Sequence, residues 1–426
     1  MVWERSHQMC YNRGEGEESG QRMATIFCSS RGRHQPGRPI ASSMRIGGKM
    51  TAQAETVEGV LEILASGAGF VRTREDLNPS PKDPYVAPSQ IRACGLRTGD
   101  RIAGRVRPPS GRERSPSLVV VESIEGEPPD SARERPFFDG LTAISPEERL
   151  RLESGPADLT GRAIDLLAPL GKGQRGLIVA PPKAGKTRIL QEIARSVART
   201  TPDAVLLLLL IDERPEEVTD FRREGAGQVY ASSFDAESRD HLHLARLVQA
   251  RAERLVERGR DVVILLDSLT RLARAANLGE RGTGRSLSGG LDAAALRMPR
   301  QFLGDARKIE GGGSLTILAT VLVETGSRLD DVIFEEFKGT GNWEIRLNRR
   351  IAERRLYPAI DVAATGTRRE ELLVPADELE AMNRLRRHLL DHDTQPEGRA
   401  ERLLELLRET ASNAELLARV TRLIRA

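Results

Sequence analysis

Ala180-Pro181-Pro182-Lys183-Ala184-Gly185-Lys186-Thr187 is the stretch on which the reading of this chain turns. Its last three residues are the Gly-Lys-Thr that closes a phosphate-binding loop of the form G-x-x-x-x-G-K-[ST]. The first position is Ala180, not Gly, so the flanks must carry the assignment. They do. Gly176-Leu177-Ile178-Val179-Ala180 reads as an aliphatic strand running into the loop, and Thr187 to Arg195 as a helix opening from it. The residue types suit the chemistry. Backbone N–H groups at a helix N-terminus cradle phosphate oxygens, and Gly185 lets the backbone come close. Lys186 brings a compact point charge to the β- and γ-phosphates, where a planar guanidinium fits poorly. The Thr187 hydroxyl is placed to ligate Mg²⁺, and Lys183 adds charge at the mouth. ATP and Mg²⁺ are the expected cofactors.

Further aliphatic runs lie on either side. Ala204 to Ile211 is unbroken, which suits a strand covered on both faces; Asp261 to Asp267 and Ser314 to Val323 are two more. Between the second and third strands, Leu244, Leu247, Val248, Ala252, Leu255 and Val256 fall on one face at helical spacing. Strands alternating with helices predict a parallel, doubly wound α/β sheet. Asp267 ends its strand, as a magnesium-side aspartate does, although an N-cap at a strand-to-helix turn explains it equally well. Asp212-Glu213-Arg214-Pro215-Glu216-Glu217 follows the middle strand; a carboxylate there can polarise an attacking water.

Residues 57–125 have a different texture. Val60 to Leu64, Gly69 to Thr73, Asp100 to Arg107 and Ser117 to Glu122 read as short strands among Gly and Pro turns. About five such strands in so short a span predict a small barrel, with an OB-fold as the leading choice. Arg92 to Arg114 holds seven Arg against Asp100 and Glu113, a local +5. Such a face suits a phosphate backbone, and a merely solvated face accounts for it as well. The domains expected are a disordered leader over 1–50, a barrel over 51–125, a linker over 126–155 and an ATPase body over 156–426. The leader holds five of the seven Met and two of the three Cys, and internal starts at Met44 or Met50 stay open.

Composition narrows the classes. Basic residues number 65 and acidic residues 62, a net +3, which excludes a histone-like polycation. Lysine is rare, at seven of the 65, yet two of the seven flank the loop at 183 and 186. The longest apolar run is eight residues, whereas a membrane span needs about 20. Cys10, Cys28 and Cys94 show no metal spacing or disulfide framework, and a reducing cytoplasm is the expected setting.

At this point the residues become familiar. Gly171-Lys172-Gly173-Gln174-Arg175-Gly176 leading into the loop, Ile211 to Val218, Leu266-Asp267-Ser268-Leu269-Thr270-Arg271, Gly312 to Thr316 and Glu335 to Asn342 closely resemble the Rho family of bacterial transcription terminators. The resemblance covers roughly 57–426. It implies a cold-shock-like OB barrel followed by a RecA-like P-loop ATPase domain. It further implies a homohexameric ring that hydrolyses ATP, threads single-stranded RNA 5′ to 3′ and acts on the RNA polymerase elongation complex.

The resemblance also assigns residues. Lys186, Thr187 and Asp267 would hold phosphates and Mg²⁺, and Glu213 matches the family's catalytic carboxylate. Arg214, the loop residues Lys183, Ala184, Gly185 and Arg188, and the segment Gly171, Lys172, Gly173, Gln174, Arg175, Gly176 match nucleotide contacts. Tyr357 matches an adenine-stacking aromatic. Arg368 matches an arginine finger given to the neighbouring subunit's ATP, worth about 10³–10⁵ in rate. Two loops, 281–290 and 325–330, would line the pore, with Arg285 and Arg328 gripping the RNA backbone where the family often has Lys. In the barrel, Phe70 and Tyr85 match base-stacking rings, with Arg72 and Arg92 nearby. The family's usual Phe-Gly-Phe reads Ala68-Gly69-Phe70 here, and an aromatic near Ser115 is also absent, so weaker or altered RNA loading is expected.

Two other readings stay open from the sequence alone: a ring ATPase of the rotary ATP synthase kind, and a non-enzymatic RNA-binding assembly. The pore loops and barrel oppose the first. The intact Lys186, Asp267, Glu213 and Arg368 oppose the second.

Overall fold

The structure is a computed structural model of the chain, and it describes residues 55–423 apart from 112, 280–289 and 293. The expected leader and Arg285 lie outside the described residues.

The first strands close on themselves. β1 (Glu55–Ile63), β2 (Gly69–Arg72), β3 (Tyr85–Val86), β4 (Arg101–Arg107) and β5 (Ser117–Ile124) form a closed barrel in the order β1-β2-β3-β5-β4, with helix α1 (Pro88–Cys94) between β3 and β4. Its interior is aliphatic: Leu61, Val71, Val86, Ile102, Leu118 and Ile124 are buried together. Closure needs close backbone approach. A Cβ on Gly104 would lie 2.1 Å from the Val120 carbonyl oxygen, so only glycine fits there.

The stretch expected to be a linker is instead packed. Phe138, Leu150 and Leu152 are buried, and β6 (Ala143–Ile144) joins the large sheet by pairing with the strand Arg307–Ile309. Its polar surface residues hid this, because only a few apolar positions reach the core.

The body runs α2 (Leu159–Leu167), β7 (Arg175–Ala180), α3 (Lys186–Thr200), β8 (Val205–Glu213), α4 (Pro215–Glu224), β9 (Gln228–Ser233), α5 (Ser238–Val256), β10 (Asp261–Asp267) and α6 (Leu269–Gly279). It continues with α7 (Arg297–Gly304), β11 (Arg307–Ile309), β12 (Ser314–Leu322), α8 (Arg328–Lys338), β13 (Trp343–Arg346), α9 (Arg349–Glu353) and β14 (Gly366–Thr367). Helices α10 (Ala376–His392), α11 (Pro396–Arg408) and α12 (Asn413–Leu423) close the described chain. The sheet order is β14-β13-β7-β12-β10-β8-β9, and β13 through β9 are mutually parallel.

The aliphatic run in β8 shows why both faces are covered. Leu206, Leu208 and Leu210 enter one core with α2, α3 and the C-terminal helices; Leu207, Leu209 and Ile211 enter the other with α5 to α8. Side chains alternate along a strand, so a sheet with helices on both sides needs no polar face. Parallel order places every strand's carboxyl end at one edge of the sheet. The phosphate loop, the end of β8 and the end of β10 therefore converge.

The barrel seats on α5 largely through charge. Arg97 pairs with Glu257 at 3.0 Å, Arg258 with Glu127 at 2.5 Å, and Arg251 with Glu125. His243 meets Glu62 at 2.6 Å.

Candidate functional site: the phosphate loop and the barrel face

The loop leaves β7 at Ala180 and enters α3 at Lys186. Gly185 takes φ 92°, a left-handed conformation that turns the chain into the helix at little cost without a Cβ. Lys183 also has positive φ, at 65°. Lys186 reaches across to two neighbouring strand ends. Its Nζ donates to Glu213 Oε1 at 2.5 Å and also to Asp267 Oδ1. Thr187 Oγ1 donates to Glu217 Oε2 at 2.9 Å.

Glu213 gets there by a bulge. The β8–β9 register shifts between Ile211 and Glu213, and Asp212 takes φ 58°. An extra residue re-aims the side chain that follows it, which leaves Glu213 buried beside Lys186. Arg271 Nη1 stands 3.3 Å from Glu213 Oε2. Burial, and then the Asp267 charge, push the Glu213 carboxyl above its ordinary range against the pull of Lys186 and Arg271. For Lys186, burial opposes the charge, but Asp267 and Glu213 outweigh it and hold the ammonium above its usual value. The two carboxylates clamp the ammonium where a phosphate charge would meet it.

Asp267 is fully buried. Its Oδ1 accepts from Thr320 at 2.7 Å, and its Oδ2 has no hydrogen-bond partner among the described residues. Thr187 and this free carboxylate oxygen are hard oxygen donors. They fit Mg²⁺ shared with phosphates, which needs few protein ligands. Among the described residues no cluster of three or more His, Cys, Asp or Glu could hold a metal.

Beside the loop is a cleft lined by Ala184, Gly185, Arg188, Leu347 and Tyr357. A Cβ at Gly185 would lie 3.5 Å from the Tyr357 ring, and the Arg188 guanidinium stands 5.6 Å from that ring's centre. Ring and cation thus form a wall next to the phosphate cradle. Arg214 begins α4 just after Glu213 and is exposed.

The segment Gly171–Gly176 is not brought to this edge. It enters β7 at the amino end, roughly 13 Å along the strand from Ala180 at about 3.3 Å per residue. Its groups have other partners. Gly171 N–H donates to Gln174 Oε1 at 2.5 Å, Gly173 N–H to Thr316 at 2.8 Å and Arg175 N–H to Asn342 Oδ1 at 2.8 Å. The Lys172 ammonium pairs with Asp261 at 2.8 Å and with Glu148. Arg368 is its neighbour: the Arg368 N–H donates to the Asn342 carbonyl at 2.9 Å, and the side chain is exposed. Arg368 and Gly171–Gly176 therefore share the sheet edge opposite their own loop.

Arg328 opens α8 in the exposed loop after β12, on the same side as the phosphate loop. Asp330 anchors that loop through Arg274 at 2.6 Å and Thr325 at 2.7 Å.

On the barrel, Phe70 and Tyr85 face each other across β2 and β3, their ring centres 5.9 Å apart at 74°. Both remain partly exposed, and Arg92 is exposed on α1. Arg72 lies 5.5 Å from the Phe70 ring centre but is buried, with Glu62 at 2.7 Å and Asp83 at 2.9 Å. It lies beside the ring as expected, but its charge is already held by two carboxylates, so it adds no net positive field. The +5 stretch is largely neutralised as well. Arg101 pairs with Glu58 at 2.7 Å, Arg105 with Glu122 at 2.9 Å and Arg107 with Glu113 at 2.6 Å. Exposed pairs of this kind are weak, about 0–1 kcal/mol, so a phosphate can compete for them. Glu58 and Glu122 lie outside the segment counted, so no local tally could find them, whereas Glu113 is already inside it. Glu217 and Arg271 lie inside stretches quoted from the sequence without a role of their own, and Thr320 is an unremarkable threonine within a buried strand that gives no signal.

Known proteins align with this geometry. Residues 57–130 match the Rho termination factor, RNA-binding domain, and residues 161–366 match the ATP synthase alpha/beta family, nucleotide-binding domain. The chain is 53% identical over 360 residues to transcription termination factor Rho of Bacillus subtilis (strain 168), covering 84% of this chain and 83% of that protein. It is also 53% identical over 367 residues to the Rho of Streptomyces lividans, covering 85% of this chain and 51% of that protein, so it spans about half of that relative's length. Among solved structures, a prototypical ATPase from a bacterial type III secretion system superposes with a TM-score of 0.55 at 24% identity, over 74% of this chain and 94% of that one; this likeness shows the fold. Among the described residues no helix is long and apolar enough to cross a membrane.

Proposed function

The chain belongs to the Rho family of transcription termination factors, ATP-hydrolysing proteins that join an RNA-binding domain to a nucleotide-binding domain, and from that premise we propose that it is a cytoplasmic, RNA-dependent ATPase whose homohexamer pulls nascent RNA 5′ to 3′ and releases it from RNA polymerase. The observation that supports this reading most is that Arg368 stands at the sheet edge opposite Lys186, away from the phosphate loop of its own chain.

The steps follow from the residues. Arriving phosphates compete for Lys186 and draw its ammonium from Glu213 and Asp267. Thr187 and Asp267 would hold Mg²⁺, which neutralises charge between the β- and γ-phosphates when bound. Glu213, freed from the ammonium, faces the attacking water as acceptor. Tyr357 and Arg188 hold the base, and Lys183 and Arg214 add charge around the phosphates. From the neighbouring copy, Arg368 stabilises the transferring phosphoryl group, and the adjoining Gly171–Gly176 segment meets the same nucleotide. Phe70 and Tyr85 stack RNA bases beside Arg92, while Arg328 and Arg285 grip the backbone in the ring.

ATP turnover measured with and without C-rich RNA tests the reading. Strong stimulation that vanishes in Lys186→Ala is expected; no stimulation in the intact chain would overturn it. Mixing Lys186→Ala with Arg368→Ala tests the shared site. Each variant alone is inactive, and mixed rings regain turnover because intact loops meet intact arginines. Absence of regain removes Arg368 from the neighbour's site.

A further inference from the structure

We propose that Glu217 and Thr320 are positioning residues that fix the metal-facing side chains Thr187 and Asp267 before nucleotide binds. The proposal rests on the nucleotide-site reading above.

The Thr187 hydroxyl has one proton and two lone pairs. Its proton goes to Glu217 Oε2 at 2.9 Å. A hydroxyl that donates sideways keeps its lone pairs available to a cation, whereas a free rotor would have to be ordered on binding. Glu217 reaches it from the first turn of α4, the helix that starts just after the bulged end of β8. The carboxylate that orients Thr187 and the carboxylate facing the water therefore belong to one turn of chain.

Thr320 acts on the other side. The parallel register pairs Leu266 with Ala319, so the next residues, Asp267 and Thr320, stand together. Both are fully buried, and the Thr320 hydroxyl donates to Asp267 Oδ1 at 2.7 Å. That bond pins the carboxylate by one oxygen and leaves Oδ2 buried without a partner among the described residues. A buried carboxylate oxygen lacking any donor is costly and rare in a finished fold. Here it is the atom a cation, or a water bound to one, would satisfy. Partners of metal ligands commonly contribute about 10–100-fold in metal affinity.

The test compares binding of a fluorescent ADP analogue in Mg²⁺ and in EDTA, with Mn²⁺ uptake followed by electron paramagnetic resonance. Thr320→Val and Glu217→Ala should each weaken binding about 10–100-fold in Mg²⁺ and leave it unchanged in EDTA. Mn²⁺ uptake should fall in parallel, and Thr320→Ser should restore both. Equal losses in the two buffers mean a merely structural role and overturn the proposal; so does no loss in Mg²⁺. Lys186→Ala should lose affinity in both buffers, so failure of the site reading stays distinct from failure of this proposal. Should Thr320→Val not fold, Glu217→Ala, a partly exposed position on a helix's first turn, carries the same comparison.

Discussion

The barrel and the sheet edge each clamp a cation between two carboxylates, and the two clamps are finished differently. In the barrel, Arg72 is held by Glu62 and Asp83, and every carboxylate oxygen is used. Glu62 Oε2 takes Arg72 and Oε1 takes His243; Asp83 Oδ2 takes Arg72 and the Ser80 N–H, and Oδ1 takes Thr73. At the sheet edge, Lys186 is held by Glu213 and Asp267, but one Asp267 oxygen has no partner among the described residues. The proton affinities differ in the same sense. Burial opposes Glu62's charge, yet His243 and Arg72 outweigh it, so its carboxyl is held below the usual range; Glu213 is pushed above it. A saturated network gains stability from its charges. An unsaturated one keeps an ammonium and a carboxylate ready for a ligand.

The contrast can be broken most forcefully at Glu213. Glu213→Gln should lower RNA-stimulated ATP turnover about 10²–10⁴-fold. It should leave Tm unchanged or raised above neutral pH. A carboxyl whose folded proton affinity is raised contributes nothing by ionising, so neutralising it forfeits no stability. A large fall in Tm would show that the two clamps are alike. The matched change in the barrel, Glu62→Gln, should cost about 2 kcal/mol at pH 7, the scale of a hydrogen bond to a charged group, with basal ATP turnover unchanged. Because Glu62 is held below the ordinary value of 4.5, its contribution is present above that pH and is lost as pH falls through its lower folded value. Thermal melts from pH 7 to 3 should converge for the two proteins. Steady separation across that range would deny Glu62 the role.

A smaller effect is expected on the ligand side of the barrel. Ala68→Phe should tighten RNA binding by roughly 1–3 kcal/mol, the scale of one stacked base. Unchanged affinity in a salt-controlled titration would sink the idea that a missing ring weakens loading. Smallest is a change at the junction of the two regions. Glu253 on α5 is pushed up to about 7 by burial, against the pull of Arg254 and with repulsion from Asp305, Asp139 and Glu257. Its folded form holds a proton between the ordinary 4.5 and about 7, so stability falls as pH rises through that window. Glu253→Gln should raise Tm at pH 8 by a few degrees and have little effect at pH 4. An equal rise at both would point to packing instead of charge.

Legibility followed the range of the interactions. The run Asp261 to Asp267 is readable as a strand to the residue, because five consecutive aliphatic positions, Val262 to Leu266, state its burial. Strands β9 and β13 were not read: Gln228–Ser233 is half polar, and Trp343–Arg346 holds only four residues. The expected linker hid a packed segment, because its few apolar anchors are spaced too irregularly to show a period. The resemblance makes the Gly171–Gly176 segment a nucleotide contact, and strand β7 separates it from the phosphate loop of its own chain.

What the sequence determined by itself is everything that contiguous residues can build: a strand, a glycine turn with backbone donors, a helix N-terminus behind it and a small barrel of short strands. A phosphate cradle is local chemistry, so eight residues and their flanks suffice to recognise it. Only the tertiary structure decided which charges are spent and which are kept. Lys186, Glu213, Asp267 and Thr320 come from four different elements, and the parallel sheet makes them neighbours. The cationic run in the barrel met its carboxylates on other strands and at the residue that follows α5. Charge neutralisation and proton affinity depend on distance in space, and distance along the chain carries almost none of that information.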